Sequence, residues 1–489
     1  VTAFKSILVA NRGEIAVRIL RTAKALGMRG LVVFHAADRK TPAVEMADEA
    51  IEITGSTPVA AYLDGAQIIE KAKKARAEAI HPGYGFLSEN AGFARAVAKA
   101  GIVFIGPAPE SIDLMGDKVR ARNFVQQNGF PVAPSAIEDD DPATFVARAK
   151  AIGTPILIKP SAGGGGKGMR IVRDLSILEE EITRARSEGE RYFGDGRLYV
   201  ERYVERPRHI EVQVLGDAHG NVVHLFEREC TIQRRFQKII EESPAPGLTP
   251  KERKRICEVA AGIARAAGYK NAGTVEFIYG GGEFYFLEMN TRLQVEHPVT
   301  EEVTGLDLVA EQIRVAAGEK LPFTQDDIKS KGAAIELRLY AEDPAKGFAP
   351  MTGPILAFRP AEYARVDAGV REGGEVTSAF DPMIAKIIVH GADRAEAIEN
   401  AQAALAGTVL LGCKTNSAFL QRFIADPMFK SGDFHTGTID ERPDLTADPE
   451  PSAETIAQVL AAGALALKPT RDAADAVPAL HAHLGAWRN

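Results

Sequence analysis

The chain has 489 residues, 45% apolar and 26% charged, which is ordinary globular composition in a length that calls for about three domains. A formal charge of −7 and a pI near 5.9 exclude a general nucleic-acid or membrane-surface binder. Cys230, Cys257 and Cys413 are too few and too scattered for a disulfide framework or a zinc site. The opening "VTAFKSILVANRGE" lacks the apolar core of a signal peptide, and no run is long enough to span a membrane. The expected compartment is cytoplasmic, or an organelle matrix if a targeting segment was removed.

In chain order, "SILVA" reads as a strand, a glycine turn follows, then the helix "EIAVRILRTAKAL" and the strand "GLVVF". The helical run "DGAQIIEKAKKARA" and the strand "GIVFIG" continue the alternation. Short apolar strands alternating with helices predict a doubly wound parallel sheet over roughly the first 110 residues, an α/β domain assigned to 1–115. "ANRGEIA" lacks GxGxxG, so no nicotinamide site is expected there.

From 116 to 204 a different unit is expected. "TPILIKPSAGGGGKGMRIV" reads as strand, glycine loop and strand, followed by a charged helix and the strand "RLYVERYV". Glycines allow positive φ and leave backbone N–H groups free to wrap phosphates. The loop is not a Walker A motif, since Gly168 follows Lys167. A glycine tract alone is more often a flexible loop. Lys159 just before it and Lys118 in "MGDKVRARN" tip the reading toward phosphate binding.

Over 205–330 and 331–446 the signals are strands and hairpins with some helices, α+β in character. "RHIEVQVLGDAHGNVVHLFERE" reads as one hairpin, with His209, Glu211 and Gln213 on one face by alternation. "CTIQRRFQKIIEE" adds Gln233, Arg234, Arg235 and Lys238. After Thr438 the acidic, proline-rich "IDERPDLTADPEPSAE" reads as a linker, so the catalytic fold is expected to end near Asp440. The alanine-rich helix "TIAQVLAAGALALK", within a tail assigned to 447–489, is too short to be stable without a neighbour.

The densest chemistry lies in "EMNTRLQVEH". Glu288, Asn290, Arg292, Gln294 and Glu296 fall on alternate positions, one face of an extended strand. In the hairpin "GTVEFIYGGGEFYFLEMN", a three-residue loop at Gly280, Gly281 and Gly282 pairs Tyr279 with Glu283 and Glu276 with Phe286. Glu288 is then a diagonal neighbour of Glu276. Two carboxylates and Asn290 are hard oxygen ligands suited to Mg²⁺ or Mn²⁺, and Glu288 has acceptor sites enough to bridge two ions. On a straight strand Glu288 and Glu296 stand about 26 Å apart, too far for one reaction centre. The chain is therefore expected to bend after Thr291, with Pro298 keeping the stretch around His297 irregular. Arg292, Gln294 and Glu296 then curl around a second, anionic substrate.

"ANRGEIAVRI", "HPGYGFLSEN", "IGP", "MGDK", "IKPSAGGGGKGM", "RHIEVQV", "QRR…K", "EMNTRLQVEHPVTE" and "FDPMIAKI" stand in the order found in biotin carboxylases. Over about residues 4 to 445 the chain resembles that family of the ATP-grasp superfamily. The resemblance implies an N-terminal doubly wound domain, an ATP-grasp domain with a glycine-loop lid, and a C-terminal biotin carboxylase domain. It implies an ATP site at Lys118, Lys159, Gly163, Gly164, Gly165, Gly166, Glu201, Arg202, Tyr203, Val204, His209, Gln233, Ile278 and Ile439. Glu276, Glu288 and Asn290 are then ligands for two Mg²⁺ or Mn²⁺ ions. Bicarbonate falls to Lys238, Arg292, Gln294 and Val295, with Glu296 as its base, and biotin to Arg338 and Asp381. The implied chemistry is attack of bicarbonate on ATP to give carboxyphosphate, which breaks to CO₂ and phosphate. That phosphate deprotonates biotin N1′ while Arg338 stabilises the enolate-like oxygen.

Three positions qualify the resemblance. Phe236 stands where many free-standing biotin carboxylases have a nucleotide-contacting His, and Phe380 where Tyr is common. Cys230 matches a family Cys and is expected to be a buried, inert thiol. "LRLYAEDPAKGFAPMTG" resembles the α subunits of acyl-CoA carboxylases, which makes that the expected parent enzyme. The alternatives are the biotin carboxylase part of pyruvate carboxylase, another ATP-grasp ligase joining a carboxylate to an amine, or a retired carboxylase kept as a scaffold. No "AMKM" motif is present, so biotin is expected on a separate carrier domain or protein. A carboxyltransferase subunit is the second expected partner, within a homo-oligomer or larger complex, with no nucleic acid and no membrane.

Overall fold

Ser6–Val9 (β1) is buried along its whole length and Arg29–Phe34 (β2) along all but its first residue, as strands need to be when helices cover both faces of a sheet. They pair in parallel, and Glu49–Glu52 (β3), Ala79–His81 (β4) and Val103–Phe104 (β5) complete a five-stranded parallel sheet in the order β3-β2-β1-β4-β5. The doubly wound unit read from the sequence is therefore present. The structure, a computed structural model, describes residues 4–138, 141–160, 169–193, 196–448 and 450–475.

Ser135–Ile137 (β6), Ile156–Pro160 (β7), Arg170–Val172 (β8) and Leu198–Arg202 (β9) form an antiparallel sheet in the order β6-β9-β7-β8. Phe145–Ile152 and Leu178–Phe193 are helices whose apolar side chains share one core with it. The loop joining β7 to β8, which holds Gly163, Gly164, Gly165 and Gly166, lies outside the described residues.

The site is built on one large antiparallel sheet. Its strands are Arg208–Gly216 (β10), Val222–Arg234 (β11), Gln237–Ser243 (β12), Asn271–Gly280 (β13), Glu283–Asn290 (β14), Ala333–Tyr340 (β15), Arg365–Ala368 (β16) and Met383–Gly391 (β17). They lie in the order β14-β13-β10-β11-β12-β15-β17-β16. The sheet thus runs unbroken from the metal-type carboxylates to the "FDPMIAKI" strand, β17.

Three local expectations change. The glycine hairpin turns on two residues, not three: Gly281 and Gly282 take φ of +62° and +80°, and Gly280 pairs with Glu283. Both central residues of this tight hairpin need positive φ to match strand twist, and two adjacent glycines supply it. Pro298 does not keep the chain irregular, because His297–Thr304 is a helix and Pro298 sits in its first turn, where a missing N–H costs nothing. The stretch after Thr438 is not linker from its start. Thr438–Glu441 and Pro443–Thr446 are helical, Ile439 and Leu445 are buried, and the first compact unit runs to Leu445.

The second unit begins at Thr446, and its helix Ala453–Asp475 exposes Ile456, Val459, Leu460 and Leu465. Among the described residues no helix is long and apolar enough to cross a membrane.

Candidate active site

A cavity of about 480 Å³ opens over β10 to β14, and Lys238 on β12 is part of its wall. The Lys238 ammonium is 2.6 Å from Glu211, 2.7 Å from Glu296 and 3.0 Å from Glu276. Burial pulls its pKa down, but the three carboxylates outweigh that and hold it well above the usual lysine value.

Strand pairing lines up Glu288, Glu276, Glu211 and Arg228 across β14, β13, β10 and β11. A register shift between Glu276 and Phe277 leaves Leu287 as an extra residue, so Glu288 faces Glu276 directly instead of diagonally. Glu276 accepts from Asn290 and Gln294, each at 2.7 Å, and stands 2.8 Å from His209. Burial would raise its carboxyl, yet Lys238 and His209 hold it well below the usual range. Glu288 is half-buried and pairs with the exposed Lys118 at 2.8 Å. Two carboxylates facing each other with an amide oxygen beside them fit a divalent hard cation.

The chain leaves β14 after Asn290 and bends, as the distance argument required. Glu89 of the "HPGYGFLSEN" loop takes Arg292 Nε at 2.9 Å and the Thr291 backbone N–H at 3.0 Å, which holds the bend. Gln294 accepts from Arg228 at 2.9 Å. Glu296 accepts from Lys238 at 2.7 Å and from Arg338 at 2.9 Å. Burial raises the Glu296 carboxyl, but Lys238, Arg338 and Arg228 together drive it far below the usual carboxylate range.

Arg338 on β15 also pairs with Glu241 at 2.5 Å, and it lines a second cavity of about 440 Å³. Asp381 lies at that second cavity, and Arg338, Gln237 and Val295 belong to the walls of both. The arrangement therefore sets a facing carboxylate pair, a buried ammonium, a buried carboxylate and a guanidinium shared by both cavities in sequence.

The remaining predicted residues divide. Gln233 lines the first cavity as the cross-strand neighbour of Lys238. Lys159 and Glu201 pair with each other on β7 and β9. Arg202 turns its guanidinium to the carbonyls of Ile152 and Thr154, and the Tyr203 N–H donates to Pro155, so both tie the small sheet together. Val204 packs where Gly280 leaves room, since a Cβ there would come within 2.4 Å of it. Ile278 lies between His209 and Tyr285 in the strand register, and Ile439 is buried in the C-terminal core.

Sequence reasoning missed Arg228, which is fully buried and donates to Glu211, Gln213, Thr274, Gln294 and Thr300 at 2.5–3.1 Å. Its only signal was a charged residue in a strand, opposite Glu211 once the hairpin register is known. Glu241 and Lys386 were missed for the same reason, and Glu89 because a loop residue carries no periodicity that would point it at the site.

Three family models match in series: "Biotin carboxylase, N-terminal domain" over residues 3–112, "Carbamoyl-phosphate synthase L chain, ATP binding domain" over 117–324, and "Biotin carboxylase C-terminal domain" over 336–441. A pyruvate carboxylase subunit of Methanothermobacter thermautotrophicus is 48% identical over 443 residues, 90% of this chain and 90% of that protein. The chain belongs to the biotin carboxylase family, ATP-dependent ligases of the ATP-grasp superfamily.

The alpha subunit of mitochondrial methylcrotonoyl-CoA carboxylase from Mus musculus is 47% identical over 92% of this chain but only 63% of its own length, so the chain spans less than two thirds of that relative. The biotin carboxylase domain of the Hydrogenobacter thermophilus 2-oxoglutarate carboxylase, solved with MgADP, ADP and bicarbonate, superposes with a TM-score of 0.81 at 44% identity, covering 91% of this chain and 99% of that one. The expected preference for an acyl-CoA carboxylase parent is not supported: a pyruvate carboxylase component matches as well. Phe236 stands at a hairpin tip, 91% exposed at φ +70°. Phe380 lies in the second cavity under the Arg12 guanidinium, 3.8 Å from the ring centre. Cys230 is buried, and burial pushes its thiol well above the usual value, as an inert thiol requires.

Proposed function

We propose that the chain carboxylates biotin, carried on another domain or protein, using ATP and bicarbonate. The observation that carries this reading is Arg338: its guanidinium touches Glu296 in the first cavity and forms a wall of the second. Bicarbonate and ATP would meet in the first cavity, and the biotin ureido group would enter the second beside Arg338 and Asp381.

Bicarbonate is a poor nucleophile and an anion, so it must be held against a phosphate that repels it. Lys238 and Arg292 hold it by charge, and Gln294 and Val295 orient it. Glu296 removes its proton. Without substrate Glu296 is a weak base because it shares Lys238 and Arg338. An anion placed between Lys238 and Arg292 competes for those cations and repels Glu296, which raises its basicity when it is needed. Lys118, Lys159, Glu201 and His209 would hold the nucleotide. Divalent metal, bound by Glu276, Glu288 and Asn290, would neutralise charge on the transferring phosphate. The bicarbonate oxygen attacks the γ-phosphorus, ADP leaves, and carboxyphosphate splits to CO₂ and phosphate. The phosphate takes the N1′ proton of biotin, N1′ bonds to CO₂, and Arg338 stabilises the negative ureido oxygen.

The carboxyl acceptor is a 2-oxo acid in the better supported reading, because the chain covers 90% of the pyruvate carboxylase subunit and 99% of the 2-oxoglutarate carboxylase domain but 63% of the methylcrotonoyl-CoA carboxylase subunit. An acyl-CoA is the second reading, favoured by the methylcrotonoyl-CoA carboxylase match. A biotin carrier, a carboxyltransferase partner and an oligomeric assembly complete the proposal. Incubating the chain with ATP, Mg²⁺, labelled bicarbonate and free biotin should yield bicarbonate-dependent ADP release and labelled carboxybiotin. ADP release that ignores biotin but responds to an amine would establish the amine-ligase alternative instead.

A further inference from the structure

The "FDPMIAKI" motif holds a second charged residue that the proposed reaction leaves unused. Lys386 is fully buried on β17, where an ammonium persists only if fixed acceptors replace its water. Its Nζ donates to the Val295 carbonyl at 2.6 Å and lies 3.5 Å from Glu14 Oε2. Lys386 is also the cross-strand neighbour of Arg338 on β15 and of Asp367 on β16. Burial pulls its pKa down, but Glu14, Glu336 and Asp367 outweigh this and keep it above the usual lysine value.

Val295 lies outside any strand, in the bend that follows β14, so no sheet ladder satisfies its carbonyl. Its neighbours are tied by their side chains: Gln294 to Arg228 and Glu276, Glu296 to Lys238 and Arg338. Val295 is tied by its backbone to Lys386, and it lines both cavities. We propose that Lys386 is a positioning residue that fixes Val295 as the partition between the two cavities and so couples ATP cleavage to biotin carboxylation. This rests on the proposed function. A partition that drifts lets the activated carboxyl group meet water before it meets biotin.

Lys386→Met removes the donor at similar length. Because it also strands Glu14, the decisive variant is Lys386→Met with Glu14→Gln, compared with Glu14→Gln alone. Carboxybiotin formed per ATP cleaved should fall at least fivefold in the double variant, with KM for ATP within about twofold, a split that general loss of fold does not produce. Backbone hydrogen exchange over residues 292–297, without substrates, should speed about tenfold while β1 is unchanged. Unchanged exchange over 292–297, or an unchanged coupling ratio in a folded double variant, overturns the inference. A parent chain with normal exchange but no response to biotin overturns the proposed function, and the exchange comparison still decides the role of Lys386.

Discussion

Glu276 and Glu288 face each other across β13 and β14, and one extra residue, Leu287, puts them in that register. Facing carboxylates repel unless a cation lies between or beside them, and Lys118 supplies one at 2.8 Å from Glu288. Glu288→Gln should raise the Mg²⁺ concentration for half-maximal ATP cleavage by about tenfold or more. A Mg²⁺ titration checks it, and an unchanged midpoint removes Glu288 from the ligand set.

Glu296→Gln keeps the shape of the buried side chain but cannot accept a proton. Bicarbonate-dependent ATP cleavage should drop by about 10²–10⁴-fold, with nucleotide affinity little changed. Turnover near that of the parent chain at saturating bicarbonate would show that another group takes the proton.

Arg228 satisfies five neighbours from a fully buried position. Arg228→Met leaves Glu211 Oε1 without its donor, with Lys238 still on Oε2, and takes one of the two partners of Gln294, so it should cost about 3–5 kcal/mol and lower the urea midpoint. Adding Glu211→Gln should recover part of the stability. KM for bicarbonate should stay raised in both variants, because Gln294 is then held by Glu276 alone.

Burial pushes the Glu14 carboxyl up to about 7 from 4.5, although Lys386 pulls the other way. A carboxyl raised on folding gives stability that is complete below its unfolded pKa and is lost as pH rises through the folded value. The stabilisation from Glu14 therefore fades between about pH 4.5 and 7. Glu14→Gln should gain on the parent chain between pH 5 and 8, by at most about 3 kcal/mol. Denaturant midpoints at the two pH values test the sign.

The compact unit ends at Leu445, and the helix Ala453–Asp475 carries exposed Ile456, Val459, Leu460 and Leu465. A chain cut after Asp448 should keep its ATP cleavage with free biotin and its melting temperature, yet assemble poorly with a carboxyltransferase partner. A large fall in melting temperature would make the tail part of the catalytic core.

Period and punctuation in the sequence were enough for the doubly wound first domain, the two strands on either side of the glycine tract, both hairpins and the bend after β14. Alternation put Glu288 and Asn290 on one face, the strand-length argument called for the bend that brings Arg292, Gln294 and Glu296 to the same cavity, and the motif order carried the family. Alternation states which face a side chain takes but not which residue stands opposite, since register depends on turn length and on bulges. For that reason alternation alone sets Glu288 diagonal to Glu276, with the two-residue turn and the Leu287 bulge both unseen. Strand order is likewise absent from local sequence. Only the order β11-β12-β15-β17 brings Arg228, Lys238, Arg338 and Lys386, far apart in the chain, onto four adjacent strands. Their charges survive burial because the fold sets carboxylates from other strands against them, a pairing that exists only in three dimensions.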